Sequence, residues 1–310
     1  MSLIGLKHKS REDVTRLLDL AAEFLDDDGD VITPEKYREA LDRKSLAMLF
    51  FEPSTRTRVS FELAIRRLGG HAVHVHEEQS SVKKGETFLD TCRNLEAMGF
   101  AALVMRHNER QLPFAISDRL DIKVINAGNG SGEHPTQALL DIFTLQQAIG
   151  NDDGSLEGKT VSIIGDIVHS RVARSDVYAL RSLGADVVLA GPSKLVPKAT
   201  DPTWDASHAS TRQEALESAD AVIMLRVQSE RMHGELVDEN AYIREWGLDE
   251  VVVREQMKPD AVIMHPGPVI RGMELTSSVA DGERSLILDQ VKNGVAVRQA
   301  VLVDLLGEVA

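Results

Sequence analysis

The sequence predicts an α/β fold with two doubly wound parallel-sheet domains, and three observations support this. Seven short apolar segments recur along the 310 residues, each is bounded by turn residues, and each is followed by a helical pattern. The predicted strands are residues 46–51, 101–105, 122–126, 161–165, 186–190, 221–225 and 261–265. Alternation of this kind is typical of parallel sheets, and the chain is long enough for about two domains.

A polar, glycine-rich segment at residues 149–158, I-G-N-D-D-G-S-L-E-G, separates the first three predicted strands from the last four. We expect a boundary near Gly150, with residues 1–150 in one domain and 151–284 in the other. The last helical pattern, about residues 285–306, is expected to pack back on the first domain. The chain would then cross between the two domains twice, which suits an active site in a cleft between them. The polar segment 228–250 is predicted to be a mobile loop.

Charge and composition exclude several classes of protein. The chain has 35 basic and 49 acidic residues, and a net charge of -14 argues against nucleic-acid binding. The one cysteine, Cys92, allows no internal disulfide, and its place on an apolar helical face favours a packed thiol over a nucleophile. No apolar run approaches the roughly 20 residues that cross a bilayer. We therefore expect a cytoplasmic protein with no membrane partner.

The most informative segment is residues 49–70, L-F-F-E-P-S-T-R-T-R-V-S-F-E-L-A-I-R-R-L-G-G. A buried strand ends at Phe51, and apolar residues at helical spacing follow until Gly69. The S-T-R-T-R motif at 54–58 falls at the helix N-terminus, where backbone N–H groups are unpaired and bind anions. Serine and threonine also suit a plain capping turn, but two interleaved arginines exceed what a cap requires. The motif therefore favours a phosphate site.

Two further segments are expected to converge on that corner if the strands lie side by side. Arg106 stands at the carboxyl end of a predicted strand, where open α/β sheets bind ligands. The loop 128–137, G-N-G-S-G-E-H-P-T-Q, enters a helix whose first turn suits Pro135. His134 and Gln137 then lie one helical turn apart and can face the same ligand. Each segment alone is more typical of a structural turn.

Three other motifs do not match the sites that they suggest. G-S-L-E-G-K-T at 154–160 is one residue short of a P-loop and precedes its strand, which argues against an ATP site. G-D-I-V-H-S-R at 165–171 lacks the second and third glycines of a dinucleotide fingerprint, so a nicotinamide site is only weakly supported. His74 and His76 alternate on a predicted strand without a third ligand, so we expect no metal site.

In order and spacing, seven motifs resemble the aspartate carbamoyltransferase catalytic chains of the aspartate/ornithine carbamoyltransferase family. They are S-T-R-T-R at 54–58, S-S-V-K-K-G-E at 80–86, M-R-H at 105–107, H-P-T-Q at 134–137, R-V-Q-S-E-R at 226–231, H-P-G-P at 265–268 and G-V-A-V-R-Q-A at 294–300. The resemblance implies carbamoyl transfer from carbamoyl phosphate to L-aspartate in pyrimidine biosynthesis. It implies no metal or organic cofactor.

The resemblance assigns one set of residues to carbamoyl phosphate: Ser54, Thr55, Arg56, Thr57, Arg106, His134, Gln137, Pro266, Gly267 and Pro268. The catalytic members of this set are Arg56, Thr57, Arg106 and His134. Thr57, Arg106 and His134 are expected to donate hydrogen bonds to the carbonyl oxygen as it becomes negative. Gln137 and the backbone near Pro266 are expected to orient the carbamoyl amide. A neutral His134 imidazole suits this donor role better than a general-base role, since the departing phosphate can accept the amine proton.

A second set is assigned to aspartate: Lys84, Arg171, Arg226 and Gln228. Arg171 is expected to bind the α-carboxylate, and Arg226 with Gln228 the side-chain carboxylate, because guanidinium groups match carboxylate geometry. On a plainer interpretation Arg226 is a surface ion-pair partner, although it directly follows a predicted strand.

The resemblance also implies a homotrimer with shared active sites. Ser80 and Lys84 are expected to reach the site of the neighbouring subunit, although a lysine pair in a solvated loop is common. Arg298 is assigned a contact that bridges the two domains. The family includes bare trimers, assemblies with regulatory chains and complexes with dihydroorotase, and the sequence leaves all three open.

Two alternatives compete with the aspartate assignment. An ornithine enzyme needs an acceptor for a second amine, whereas Arg226 and Gln228 offer donors, and H-P-G-P at 265–268 stands where ornithine enzymes carry H-C-L-P. A non-catalytic anion-binding or scaffolding homologue is expected to lose some of the chemistry residues. Every family position that we can name is filled in this chain.

Overall fold

The computed structural model describes residues 2–75, 86–199, 201–228 and 238–307, and the chain divides into two compact units. Met1–Leu140 with Val291–Ala310 forms the first unit, and Asp141–Gln290 forms the second. The strands are β1 (Ser45–Phe50), β2 (His71–Val75), β3 (Ala102–His107), β4 (Lys123–Asn129), β5 (Thr160–Ile164), β6 (Asp186–Ala190), β7 (Ser207–Ala209), β8 (Ala221–Met224) and β9 (Val262–Met264).

Helices connect most of the successive strands. They are α1 (Arg11–Ala22), α2 (Thr55–Arg67), α3 (Phe88–Ala97), α4 (Leu112–Ser117), α5 (Pro135–Ile149), α6 (Arg171–Ser182), α7 (Arg212–Glu217), α8 (Glu239–Trp246), α9 (Glu250–Gln256), α10 (Ser277–Ala280) and α11 (Ile287–Leu306). A short 3-10 helix spans Glu35–Tyr37. Among the described residues, no helix combines the length and apolar character that crossing a membrane requires.

The predicted fold class is confirmed, because each unit is built on a parallel sheet. The sheet of the first unit has the strand order β2-β1-β3-β4, and that of the second unit has the order β7-β6-β5-β8-β9. Strand order reverses between β1 and β3 in the first sheet and between β5 and β8 in the second. In open α/β sheets, ligands bind at the carboxyl ends of the strands beside such a reversal.

All seven predicted strands are present, with their ends no more than three residues from the predicted ones. β2 carries His74 as expected, whereas β7 was not predicted because it is three residues long and has no apolar run. The prediction of a mobile loop over 228–250 is wrong from Asp238 onward. The Asp238 side chain caps α8 by accepting from the backbone N–H of Ala241, and this helix buries Tyr242 and Trp246.

Two helices pass from one compact unit into the other. The division falls within α5, between Leu140 and Asp141, and within α11, between Gln290 and Val291. The polar segment at 149–158 connects α5 to β5 through a turn in which Asn151 N–H donates to the Ser155 carbonyl at 3.0 Å. We retain the end of α5, near Gly150, as the proposed domain boundary.

The later part of α11 is held by residues from the beginning of the chain. Gln299 accepts a hydrogen bond from the Thr33 hydroxyl at 2.6 Å and donates to the Ile32 carbonyl at 3.1 Å. Lys44 donates to the Leu306 carbonyl at 2.5 Å. In the core of the same unit, Cys92 is fully buried, which confirms a packed thiol.

Candidate active site

The S-T-R-T-R corner lies at the carboxyl end of β1, beside the reversal of strand order in the first sheet. Ser54 is the N-cap residue of α2 in an extended conformation, yet its side chain makes no capping hydrogen bond within the described residues. Thr57 is buried, whereas Thr55 and Arg56 are exposed. Because the hydroxyl of Ser54 is not used as a cap, the plain capping turn is not what these residues form. The helix N-terminus can therefore bind an anion.

Arg56 keeps its charge in this corner. Partial desolvation lowers the pKa of its guanidinium from the usual arginine value. An arginine so shifted is still a cation at neutral pH, because its starting pKa is so high.

Arg106 lies at an irregularity in the ladder between β3 and β4. The register pairs Met105 with Asn126 but His107 with Asn129, so β4 has one extra residue opposite Arg106. Such a bulge redirects side chains and is common beside active sites. The Arg106 Nη1 donates to the carbonyl of Ala127, in the bulged segment, at 3.2 Å. The bulge thus helps to hold the guanidinium at the end of β3, next to β1.

His134 immediately precedes α5, with Pro135 as the first helical residue as predicted. Its carbonyl accepts from the N–H groups of Gln137 and Ala138 at 3.0 and 3.1 Å. The Nε2 of His134 lies 3.4 Å from the Thr57 Oγ1, and both side chains are buried. The structure therefore brings the N-terminal ends of α2 and α5 together.

A buried polar network supports the loop that leads to His134. Asn126 donates to Asn129 Oδ1 at 3.1 Å, and Asn129 Oδ1 accepts from the Glu133 N–H at 2.7 Å. The carboxylate of Glu133 in turn accepts from the backbone N–H of Leu6 at 2.6 Å. A side chain at Gly132 would place its Cβ 2.7 Å from Asn129 Oδ1, so this network leaves no room for a side chain at that position.

Glu52 is a site residue that the sequence analysis missed. Its carboxylate Oε2 lies 3.6 Å from Arg106 Nε, and both side chains are mostly buried. The residue lies two positions beyond the end of β1, but an acidic group in an anion site gives no obvious signal in the sequence. Its negative charge opposes an anion and helps to hold the arginine before the anion binds.

In the second unit, three of the residues predicted to bind aspartate, Arg171, Arg226 and Gln228, lie near the carboxyl ends of β5 and β8, again beside the reversal of strand order. Arg171 is the first residue of α6 and is buried, and the Ser170 hydroxyl caps this helix by accepting from the Ala173 N–H at 3.1 Å. Arg226 and Gln228 lie two and four residues beyond the end of β8. The Gln228 Nε2 donates to the His169 carbonyl at 3.3 Å.

Two buried carboxylates fix the backbone around Arg226. Asp166 Oδ2 accepts from the Gln228 N–H at 3.1 Å, and Glu274 Oε1 accepts from the Val227 N–H at 3.4 Å. Glu274 Oε2 also accepts from the Ile270 N–H at 2.9 Å. Burial raises the pKa of Glu274 to about 7, against the opposing effects of these backbone donors and of the Arg226 charge. Neither acid was predicted, although Asp166 lies only two residues beyond the end of β5.

The H-P-G-P segment follows β9 in the same unit. His265 is buried, and its Nδ1 accepts from the Gly267 N–H at 2.8 Å. Gly267 has a φ of +71°, which few other residues adopt readily. Pro266 is half-buried and Pro268 is exposed. The turn therefore presents backbone groups at the end of the sheet.

The remaining predicted residues have other outcomes. Ser80 and Lys84 lie outside the described residues, as does His76. His74 Nε2 lies 3.0 Å from Glu62 Oε2. Arg298 is buried in the first unit, where its Nη1 donates to the Gly294 carbonyl at 2.8 Å and its guanidinium lies 5.2 Å from the Phe61 ring centroid. A bridging role for Arg298 stays a prediction.

Comparison with known proteins agrees with this arrangement. A family model described as "Aspartate/ornithine carbamoyltransferase, carbamoyl-P binding domain" matches residues 1–147. A second, described as "Aspartate/ornithine carbamoyltransferase, Asp/Orn binding domain", matches residues 157–305. The aspartate carbamoyltransferase catalytic subunit of Anaeromyxobacter sp. (strain Fw109-5) is 46% identical over 306 residues, covering 98% of this chain and 94% of that protein.

Solved structures are similar over nearly the whole chain. Aspartate transcarbamoylase from Trypanosoma cruzi, in complex with N-(phosphonacetyl)-L-aspartic acid, has a TM-score of 0.84 and 30% identity, covering 97% of this chain and 94% of that one. Ornithine carbamoyltransferase from Thermus thermophilus has a TM-score of 0.83 and 28% identity, covering 98% of each chain. By both family models and by these similarities, the chain belongs to the aspartate/ornithine carbamoyltransferase family.

Proposed function

We propose that this chain transfers the carbamoyl group from carbamoyl phosphate to L-aspartate, giving N-carbamoyl-L-aspartate and phosphate, as a step of pyrimidine biosynthesis. The observation that carries the proposal is the 3.4 Å approach of Thr57 and His134 at the joined N-terminal ends of α2 and α5. The relative from Anaeromyxobacter sp. bears the name aspartate carbamoyltransferase, and the Trypanosoma cruzi enzyme has been solved with carbamoyl phosphate and aspartate.

The phosphate end of the substrate suits the corner of the first unit. The N-terminal N–H groups of α2, the hydroxyls of Ser54, Thr55 and Thr57, and the Arg56 guanidinium supply hydrogen-bond donors to a dianion. Arg106, on the neighbouring strand β3, is assigned to both the phosphate and the carbonyl. The chain is acidic overall, so this local cluster must do the binding.

The carbonyl end needs donors for an oxygen that becomes negative as the amine attacks. Thr57, Arg106 and His134 are assigned this role, and Gln137 with the backbone at 266–268 is assigned the carbamoyl amide. Donors fixed in advance stabilise such an oxyanion without having to reorganise during the reaction. Both the Thr57 hydroxyl and the neutral His134 imidazole can donate one hydrogen bond.

Aspartate attacks through a neutral amine, and its two carboxylates need cationic or amide partners. Arg171 is assigned the α-carboxylate, and Arg226 with Gln228 the side-chain carboxylate. As the C–N bond forms and the C–O bond to phosphate breaks, the amine proton passes to the departing phosphate. An ornithine side chain would bring an ammonium group to these donors, so the half-site disfavours ornithine.

The partners and location in this proposal remain those predicted from the sequence. We propose a homotrimer in which Ser80 and Lys84 of each subunit serve the neighbouring site, and a cytoplasmic location.

A direct assay tests the activity. Purified protein receives carbamoyl phosphate with either L-aspartate or L-ornithine, and both the carbamoylated product and the released phosphate are measured. We expect stoichiometric N-carbamoyl-L-aspartate and phosphate, with a preference for aspartate of at least about 10³ in kcat/KM. A preference for ornithine would overturn the substrate, and ligand binding without turnover would overturn the activity.

A further inference from the structure

A chain of buried hydrogen bonds in the second unit ends at the 265–268 segment. Gln290, in the first turn of α11, is 2% exposed. Its Oε1 accepts from the backbone N–H of His265 at 2.9 Å, and its Nε2 donates to Asp141 Oδ1 at 2.6 Å. His265 Nδ1 then accepts from the Gly267 N–H. A single amide side chain thus connects α5 to the residue that follows β9.

Asp176 of α6 lies behind this chain, beside Asp141. Asp176 is fully buried, and within the described residues neither of its carboxyl oxygens has a conventional hydrogen-bond donor. Burial first, and then the negative charge of Asp141, raise the pKa of Asp176 well above its usual range. An ionised carboxylate without a donor is very costly to bury, so this position favours the protonated form of Asp176, whose neighbour is Asp141.

The backbone N–H of His265 and the side chain of Asp141 together determine which way the Gln290 amide faces. The backbone N–H of His265 can only donate a hydrogen bond, so it must face the carbonyl oxygen of the Gln290 amide. The Gln290 NH₂ group must therefore face Asp141, and its carbonyl faces the His265 N–H. The reversed amide would place oxygen against carboxylate and NH₂ against N–H, so both hydrogen bonds would be lost.

We propose that Asp176, Asp141 and Gln290 form a positioning relay that fixes the backbone at 265–268 for the amide group of carbamoyl phosphate. The inference rests on the proposed function, which assigns that segment to the carbamoyl NH₂. None of the three side chains touches the substrate in this scheme. They act through His265 and Gly267. Changes to them should therefore alter the binding of carbamoyl phosphate. The binding of inorganic phosphate, which needs only the S-T-R-T-R corner of the first unit, should not change.

The test compares carbamoyl phosphate with inorganic phosphate in four variants. Gln290→Leu and Asp176→Leu break the relay, whereas Asp176→Asn keeps a donor toward Asp141. Gln299→Leu is the matched control, since Gln299 is a buried amide on the same helix that bonds Thr33 and Ile32 instead. The measurements are KM for carbamoyl phosphate, kcat, Kd for inorganic phosphate, and a thermal unfolding curve for each folded variant.

We expect both relay-breaking variants to raise KM for carbamoyl phosphate about tenfold and to lower kcat, with Kd for phosphate within about twofold of the wild type. Asp176→Asn and Gln299→Leu should keep the wild-type ratio of KM for carbamoyl phosphate to Kd for inorganic phosphate. If a leucine variant does not fold, Gln290→Glu is used in its place. The ionised carboxylate of this variant cannot donate a hydrogen bond to Asp141.

The possible outcomes separate the inference from the function. Wild-type turnover with an unchanged KM-to-Kd ratio in the relay-breaking variants overturns the relay alone. Equal weakening of both ligands, or Asp176→Asn behaving like Asp176→Leu, also overturns it. A wild-type protein without turnover overturns the proposed function and the relay with it.

Discussion

Thr57 and His134 are 77 residues apart in the chain, yet the Oγ1 of one lies 3.4 Å from the Nε2 of the other. One belongs to the first turn of α2 and the other immediately precedes α5. Two helix N-termini, each with unpaired N–H groups and partial positive charge, therefore meet beside the carboxyl ends of the strands of one sheet. The two side chains add directed donors to this positive field. This pairing supports the proposal that a small anion binds here.

The first prediction concerns His134. His134→Ala should lower kcat by about 10² to 10³, because one oxyanion donor is lost, while Kd for inorganic phosphate stays within about threefold of the wild type. Steady-state kinetics and calorimetric titration with phosphate measure the two effects. His71→Ala, at an exposed histidine of β2, is the control and should change neither. Loss of phosphate binding in His134→Ala would contradict a role limited to the carbonyl.

The second prediction concerns Arg106. Arg106→Lys keeps the positive charge but loses the planar guanidinium that bonds the Ala127 carbonyl and lies beside Glu52. We expect phosphate to bind about tenfold more weakly and kcat to fall by about 10² or more. Arg93→Lys, at an exposed arginine, should leave both values unchanged. If Arg106→Lys keeps full activity, point charge alone suffices at this position.

The third prediction tests shared sites in the proposed homotrimer. Lys84→Ala and His134→Ala should each be nearly inactive, but equal mixtures should recover up to about a quarter of wild-type activity after subunit exchange. The reason is that some sites then combine an intact His134 with an intact Lys84 from the neighbouring subunit. Mixing each variant with itself is the control. Exchange shown by mass spectrometry without recovered activity would reject the sharing.

Local sequence was enough to predict much of the first half-site. The S-T-R-T-R corner depends on a strand, a turn and a helix N-terminus that adjoin in the chain, so its donors could be inferred from pattern alone. The entry of α5 at Pro135 was predictable for the same reason. Their meeting was expected only on the condition that the strands adjoin, and the order β2-β1-β3-β4 meets that condition.

The supporting acids could not be predicted in this way. Glu52, Asp166 and Glu274 each act on a residue distant in the chain or on a backbone N–H, and their partners depend on strand order. The bulge opposite Arg106 is likewise a property of the pairing of β3 with β4, not of either strand alone. A search for basic residues around an anion passes over the carboxylates that hold those basic residues.

The fourth prediction concerns the thiol of Cys92. Burial raises its pKa to about 12, so almost no thiolate exists near neutral pH. The native protein should therefore react with a disulfide reagent at pH 8 at least about 10³ times more slowly than the same protein in urea. The absorbance of the released thiolate follows the reaction. Rapid reaction of the folded protein would show that the core around α3 opens easily.

The last prediction concerns Glu274 and pH. A carboxyl group whose pKa is about 7 in the folded protein, against the usual 4.5, binds its proton more tightly when folded. The stability that this proton contributes is complete below pH 4.5, and it is lost as the pH rises through about 7. The free energy of unfolding of the wild type should thus fall over this interval relative to Glu274→Gln. The difference should reach at most about 3 kcal/mol.

Urea unfolding at several pH values between 4.5 and 8 provides the measurement, with the interval set by the two pKa values. Glutamine at this position can accept through only one oxygen, so it loses one of the hydrogen bonds from Val227 and Ile270 at every pH. That loss lowers the stability of the variant by a constant amount, and the slope against pH therefore carries the prediction. Glu255→Gln, at an exposed glutamate, should keep the wild-type slope. Parallel slopes for wild type and Glu274→Gln would mean that Glu274 is ionised throughout, held charged by Arg226 and the two backbone donors.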